Sequence, residues 1–425
     1  MTILNHIIEG FGGFSNRTTF EFPKENSTLI LGVNGAGKTS LLNSIYTTIS
    51  YCISSIIGVN HREIGVSQST ISIGKELSEV ISEILLKQDE SPLEIGYKIL
   101  QNGQINLIGK EQNVIRKHFI QLHKDYDYGI LPLFRYFQSE KNIDNDKGIV
   151  SSQKFNKLEN RNIGYAENYS RGILIKEVTS FLINQVNIEN QAKVDKNNLN
   201  YETKIGVFLR TTLNNFTSLL YGQGVEVKVM PSKFSSGQSI VIVKNGLELE
   251  FSQLSSGERY IFTLVLELVY RTVALNPRMN DFKSVPGIVL IDEVENHLHP
   301  RWQLTIVKAL ETCFPMIQFI VSSHSPLIAS SVRNNQIIAL SNFEKIPIYD
   351  MPDVYSGTSD ELLEKILHSD IQINVFQNER EEIDSLINTF KFDLAEKKLV
   401  ILKELIKSNP QWIKDFENKI SFGKA

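Results

Sequence analysis

The chain has 425 residues, 41% hydrophobic and 22% charged, the profile of a globular protein long enough for a large head with appendages. A formal net charge of −4 at pH 7 argues against a protein that coats nucleic acid, and no run of 18 apolar residues suggests a membrane span. Cys52 and Cys313 have no metal-ligand spacing, and the N-terminal residues show no basic region leading into an apolar core, so a cytoplasmic protein with reduced thiols is expected.

Ile3–Phe14 and Thr18–Phe22 read as strands joined by a glycine turn, forming a small antiparallel layer. The apolar strand Thr28–Leu31 then leads into Gly32-Val33-Asn34-Gly35-Ala36-Gly37-Lys38-Thr39, which fits G-x-x-x-x-G-K-[ST] at every fixed position. Ser40 follows, and Leu41, Leu42, Ile45, Tyr46 and Ile49 recur at helical spacing. A strand, a glycine loop and a helix start make a phosphate cradle: backbone N–H groups turn inward and the helix N-terminus adds positive potential. Lys38 is expected to reach the β- and γ-phosphates, and the Thr39 hydroxyl to bind Mg²⁺. Asn34, Gly35, Ala36, Gly37 and Ser40 complete the expected nucleotide contacts.

Leu77, Val80, Ile81, Ile84 and Leu85 show helical periodicity, as do Val114, Ile115, Phe119, Ile120 and Leu122. Between them, Leu93–Leu107 reads as a hairpin turning near Asn102-Gly103. The apolar stretch Gly129–Phe137 is a strand ending in Gln138, which fits either a Mg²⁺ and water ligand or a surface glutamine. Ser139–Tyr169 turns polar and reads as a loop, followed by helices at roughly 172–192 and 199–220. The lysine-rich middle is nearly balanced by acidic residues, as on a solvated mixed face. Glu226–Val229 and Ile240–Val243 bracket a hairpin, with Asn245-Gly246 turning into Leu247–Phe251.

Leu254-Ser255-Ser256-Gly257-Glu258 precedes the apolar helix Tyr260–Ala274, and serine hydroxyls with a glycine at a helix start describe an anion-binding corner. Gly287–Ile291 is apolar on both faces, as a central parallel strand is, and ends in Asp292 and Glu293. Asp292 suits Mg²⁺ binding through water, and Glu293 suits a general base on an attacking water. Glu295, His297 and His299 suggest a metal site, but no partner set at zinc spacing follows them. Ile317–Ser323 is one more strand, tipped by His324; ligands sit at the carboxyl ends of parallel strands, so His324 is a candidate for the γ-phosphate. A further strand is expected near Gln336–Leu340, and the tail reads as helices with faces at Leu362–Leu367, Ile383–Phe390 and Leu399–Ile406.

This ordered set of Walker A loop, serine corner, Asp292-Glu293 and His324 resembles an ATP-binding-cassette head. Asp292–Gln303 is similar to the D-E-x-E-x-H-L-H-P-x-W-Q form of OLD-like and SMC-like ATPases, not to transporters, which follow the glutamate with Pro-Thr-Ser. Lys244-Asn245-Gly246, Phe314–Val321, Tyr355–Leu363 and Asp393–Leu399 resemble the ATPase subunit of the Septu anti-phage systems and its retron-associated relatives. The serine corner carries Ser256 and Glu258 where a transporter signature has glycine and glutamine, a change common in SMC-like heads.

The resemblance implies an α/β head over 1–350, a mixed sheet with helices on both faces and a helical lobe, with a helical or irregular insertion at about 50–220. It also implies an α-helical tail over 351–425 for partner or oligomer contacts. The implied cofactors are ATP and Mg²⁺, with Ser255, Ser256, Gly257 and Glu258 of one copy facing the ATP held by another in a homodimer or larger oligomer. The implied partners are an HNH nuclease subunit or a retron reverse transcriptase complex, nucleic acid being met through the complex, with no membrane. The alternative is a RecF-like repair ATPase that binds DNA directly. A self-contained OLD-type nuclease would need a Toprim domain with D-x-D, and no D-x-D follows His324.

Overall fold

The computed structural model describes residues 1–23, 27–57, 68–86, 91–109, 111–138, 161–165, 175–232, 238–244, 246–346, 377–406 and 411–424. They belong to two compact units, one within Met1–Leu367 and one within His368–Ala425.

Three strands of the first unit, β3 (Ser27–Leu31), β11 (Gly287–Ile291) and β12 (Ile317–Ser323), are buried at every position. Strands apolar on both faces belong in the middle of a covered parallel sheet. They lie there with β7 (Leu133–Phe137), β13 (Ile337–Ser341) and β14 (Glu344–Ile346), in the order β14-β13-β3-β12-β11-β7. All neighbours pair in parallel except the edge strand β14. The fold is therefore mixed α/β.

A second sheet, antiparallel throughout, runs β2 (Thr18–Glu21), β1 (Thr2–Glu9), β4 (Leu77–Leu85), β5 (Leu93–Leu100) and β6 (Ile105–Ile108). The expected helix at 77–85 is strand β4. Ser78, Val80, Ser82 and Ile84 alternate onto one buried face, and hydrogen-bonded partners on both sides outweigh a helical spacing that β-branched residues serve poorly.

Two buried polar groups join the layers. Gln318 of β12 accepts the Ile3 N–H (2.8 Å) and donates to the Ile3 carbonyl (3.0 Å), extending the β1 ladder with a side chain. His6 of β1 lies between Ser82 of β4 (Nδ1, 2.7 Å) and Ser44 (Nε2, 2.8 Å) of helix α1 (Lys38–Ile57). Ser44 Oγ donates to the Leu41 carbonyl, so it accepts from Nε2–H, and Ser82 Oγ–H points at Nδ1. His6 is fully buried, and burial pushes it down to about 3.

Helix α2 (Gln112–Lys124) follows β6 as expected. The helical lobe comprises α3 (Ile175–Asp195), α4 (Lys204–Tyr221) and the small sheet β10 (Leu247–Glu250)-β9 (Gln238–Lys244)-β8 (Glu226–Pro231). Its central helix is α5 (Ser256–Leu275), buried along nearly its whole length. Inside α5, Glu267 accepts from Arg271 Nε at 2.8 Å and pairs with Arg135 of β7, whose Nε lies 2.7 Å from the same oxygen, with all three side chains sealed from solvent. Charges so buried persist because they are paired.

In the second unit the helices Gln377–Asn388, Phe392–Ile406 and Gln411–Lys424 enclose Ile383, Ala395, Leu399, Ile413 and Ile420. The expected face at 399–406 falls in a helix, as does that at 383–390 except for Phe390, an exposed turn residue at φ +59° just past Asn388. The face at 362–367, the stretch 355–363, Asn245 and nearly all of the polar segment 139–169 lie outside the described residues.

Candidate functional site

Four neighbouring parallel strands deliver their carboxyl ends to one edge of the sheet. β3 runs into the glycine loop, β12 into His324, β11 into Asp292 and β7 into Gln138, and register aligns Leu31 with Ser323, and Ile291 with both Val321 and Phe137. The structure thus brings together the loop, Asp292, Glu293, His324 and Gln138 from segments up to about 290 residues apart.

Gly37 has φ +104°, a conformation only glycine adopts readily, and a Cβ there would meet the Phe343 ring at 2.6 Å. Phe343 donates its backbone N–H to the Ala36 carbonyl (3.1 Å) and stands edge-on to Phe14, buttressing the loop. Lys38 Nζ donates to the Gly32 (2.7 Å) and Val33 (2.9 Å) carbonyls. Burial lowers the Lys38 ammonium from its ordinary value, while Glu295, Asp292 and Glu293 pull it back up.

Thr39 Oγ1 donates to Asp292 Oδ2 at 2.9 Å, and Ser322 Oγ donates to Asp292 Oδ1 at 2.5 Å. The same Ser322 oxygen accepts the Glu293 N–H (2.9 Å), and the Ser322 carbonyl accepts the Val294 N–H (3.1 Å). These bonds hold Glu293 at φ +50°, a costly conformation for a non-glycine residue. Asn296 Nδ2 donates to the Glu293 carboxylate at 2.8 Å. Burial raises the Asp292 carboxyl from its ordinary value; the Ser322 and Thr39 bonds and Lys38 oppose the rise, and Glu293 adds to it.

Glu295 is buried and accepts from the His324 N–H (2.6 Å), and the same carboxylate oxygen lies 2.8 Å from the ring Nδ1. Gln138 sits beside Asp292, whose N–H bonds the Phe137 carbonyl, and its Nε2 donates to Asn43 Oδ1 at 3.4 Å.

The serine corner opens α5. Ser255 Oγ accepts the Glu258 N–H and the Glu258 carboxylate accepts the Ser255 N–H (3.1 Å), a closed capping box, with Ser255 Oγ also donating to that carboxylate (2.7 Å). Lys244 of β9 donates to the other Glu258 oxygen at 2.8 Å and lies 4.3 Å from the Tyr221 ring centroid. Burial alone would raise the Glu258 carboxyl, but the bonds from Lys244 and Ser255 hold it below its ordinary value. A Cβ at Gly257 would lie 2.2 Å from the His297 carbonyl oxygen, so the corner packs directly on the segment that follows Glu293. Among the described residues, no hydrogen bond or ion pair joins residues 255–258 to the loop 32–39 of the same chain.

Several contributors escaped the sequence reading. Ser322 and Phe343 carried no motif signal. Lys244 and Glu295 stood out only within stretches that resemble the family, Glu295 also as a discarded metal ligand, and neither was given a role in the site. Two serines immediately before a strand-end histidine were the available hint for Ser322.

A family model described as "AAA domain, putative AbiEii toxin, Type IV TA system" matches residues 27–330, from β3 to just past the short helix Pro326–Ala329. The chain belongs to this family and is an AAA-domain ATPase. It is similar to the "Retron Vc95 probable ATPase" of Vibrio cholerae serotype O1 biovar El Tor, 27% identical over 369 residues and covering 77% of this chain and 71% of that one. It is similar also to the Septu protein PtuA of Bacillus thuringiensis, 32% identical over 152 residues, or 32% of this chain and 38% of that one. An SMC head bound to the C-winged helix domain of ScpA aligns over 81% of this chain and 96% of its own, at 14% identity and a TM-score of 0.48.

Proposed function

We propose that the chain binds Mg²⁺–ATP on the loop 32–39 and hydrolyses it with Glu293 and His324. In the ATP-bound state two heads meet, and residues 255–258 of each face the triphosphate held by the other. The observation that carries this reading is the hydrogen-bonded path Thr39–Asp292–Ser322–Glu293, which ties the loop to the two carboxylates at the end of β11.

The residues suit the ion and the nucleotide. Thr39 and Asp292 offer a hydroxyl and a carboxylate oxygen side by side, and Mg²⁺ favours one or two such ligands with phosphate oxygens and water completing the shell. Bound there, Mg²⁺ would neutralise charge on the β- and γ-phosphate oxygens. Lys38 exchanges its carbonyl partners for phosphate oxygens, while the N–H groups of residues 34–40 line the loop. Glu293, steadied by Asn296, accepts the proton of the attacking water, and His324 faces the γ-phosphate. Gln138 lies where it can touch ion or water.

The resemblance in the motifs and the retron and Septu names of the relatives support a place in a cytoplasmic anti-phage complex. There the head, residues 1–350, gates a partner HNH nuclease or a retron reverse transcriptase complex, with residues 351–425 making partner or oligomer contacts. ATP binding is the switch, because hydrolysis removes the phosphate that both heads hold.

Glu293→Gln tests this reading. Turnover should fall about 10²–10⁴-fold, and solution mass should double with Mg²⁺–ATP and stay doubled. Unchanged turnover removes Glu293 from its role, and a mass indifferent to ATP rejects the paired heads.

A further inference from the structure

Glu295 occupies the turn three residues beyond Asp292, at the foot of His324. Its side chain is 6% exposed, against 44% for the histidine. One oxygen, Oε1, takes both His324 contacts, from the backbone N–H at 2.6 Å and from ring Nδ1 at 2.8 Å. The other, Oε2, is buried with no hydrogen-bond partner. One carboxylate oxygen here takes the backbone hydrogen bond and also sits against the ring nitrogen of the same histidine. A residue kept only to tie the backbone needs just the first of those contacts.

Carboxylate oxygens accept, so the 2.8 Å contact puts the proton on Nδ1. The lone pair of the neutral ring is then on Nε2, the nitrogen left to meet an incoming group. The opposite tautomer would set the Nδ1 lone pair against Oε1, which is repulsive. The 2.8 Å approach therefore selects the tautomer.

We infer that Glu295 is a positioning residue for ATP hydrolysis: it holds His324 in the Nδ1–H form and leaves the Nε2 lone pair to accept from the attacking water beside the terminal phosphate. Glu295 itself makes and breaks no bond. Nε2 accepts a hydrogen bond from one O–H of that water while Glu293 takes the proton of the other, and the buried Glu295 carboxylate offsets the positive charge drawn onto the ring, as a second partner orients a histidine in other sites. The inference rests on the hydrolytic reading given above.

With ¹⁵N-labelled histidine, the His324 ring should read as Nδ1–H in the unaltered protein and as a mixture in Glu295→Gln. In the same variant kcat should fall about 10–100-fold, while ATP affinity stays within about threefold. The double variant Glu295→Gln/His324→Ala should be no slower than His324→Ala alone, because the pair acts as a unit. An Nε2–H ring in the unaltered protein, an unchanged kcat in Glu295→Gln, or losses that multiply in the double variant each overturn the inference. Should Glu295→Gln fail to fold, Glu295→Asp keeps the charge but withdraws the oxygen; it should lose kcat alike, and full activity there refutes the role. Lys38→Ala and Glu293→Gln run alongside. If both turn over ATP at the unaltered rate, the hydrolytic reading fails; if both are slow while Glu295→Gln is not, only Glu295 loses its part.

Discussion

Replacing His6 with leucine should make the protein's stability less sensitive to mild acid. The imidazole bridges β1, β4 and the helix that follows the phosphate loop, and it is buried as the neutral ring. Burial sets its folded value at about 3, against 6.5 for an exposed histidine. The folded pKa is depressed, so the contribution is complete above pH 6.5 and drains away as pH falls toward 3, where the unfolded chain takes up a proton that the folded one refuses. Each unit of separation is worth about 1.4 kcal/mol, so between pH 7.5 and 5 the unaltered protein should lose about 2 kcal/mol through this residue alone. His6→Leu strands the Ser82 hydroxyl and one acceptor site on Ser44, costing roughly 1–3 kcal/mol at neutral pH. Urea unfolding followed by circular dichroism at pH 7.5, 6.5, 5.5 and 5.0 gives the comparison. Carboxylates elsewhere titrate equally in both proteins, so the stability gap isolates His6, and it should shrink by about 2 kcal/mol across the series. Parallel curves would refute the reasoning, because they would mean that His6 is charged or hydrated in the folded state.

Lys244→Met should weaken ATP-dependent pairing of heads, because Glu258 then brings an uncompensated negative charge to the corner meant for a phosphate; adding Glu258→Gln should restore pairing, and analytical ultracentrifugation with Mg²⁺–ATP reads both. If the second change brings no recovery, charge balance is not what Lys244 supplies. Gly257→Ala forces a methyl into the His297 carbonyl, and a loss of roughly 1–3 kcal/mol in thermal or urea unfolding is expected, with an unchanged transition as the contrary result.

The phosphate loop, the serine corner and the acidic strand end were legible because each is one short segment whose chemistry depends on its immediate neighbours. Runs such as Gly287–Ile291 and Ile317–Ser323 announced central strands because a strand covered on both faces has no polar side to show. The segment 77–85 misled because its apolar residues fit a period near 3.6 while two of the four positions on its buried strand face are serines; only the neighbours β1 and β5, absent from a local window, reveal the strand. The same blindness hid the supporting contacts. Glu295 and His324 are 29 residues apart, Lys244 and Glu258 are 14 apart, and His6 and Ser82 are 76 apart. In each case the fold, not the spacing, makes the pair.

The sealed triad of Arg135, Glu267 and Arg271 has a mechanical corollary. One arginine belongs to the strand that ends beside Gln138, and the glutamate belongs to the helix that begins at Ser256. Sliding either past the other would strip a dehydrated charge of its counterion, at a cost of several kcal/mol. Strand and helix must therefore travel as one stiff lever. The pairing thus ties the strand that ends beside Gln138 to a helix whose first residue, Ser256, lies about 16 Å from Glu267 along the axis.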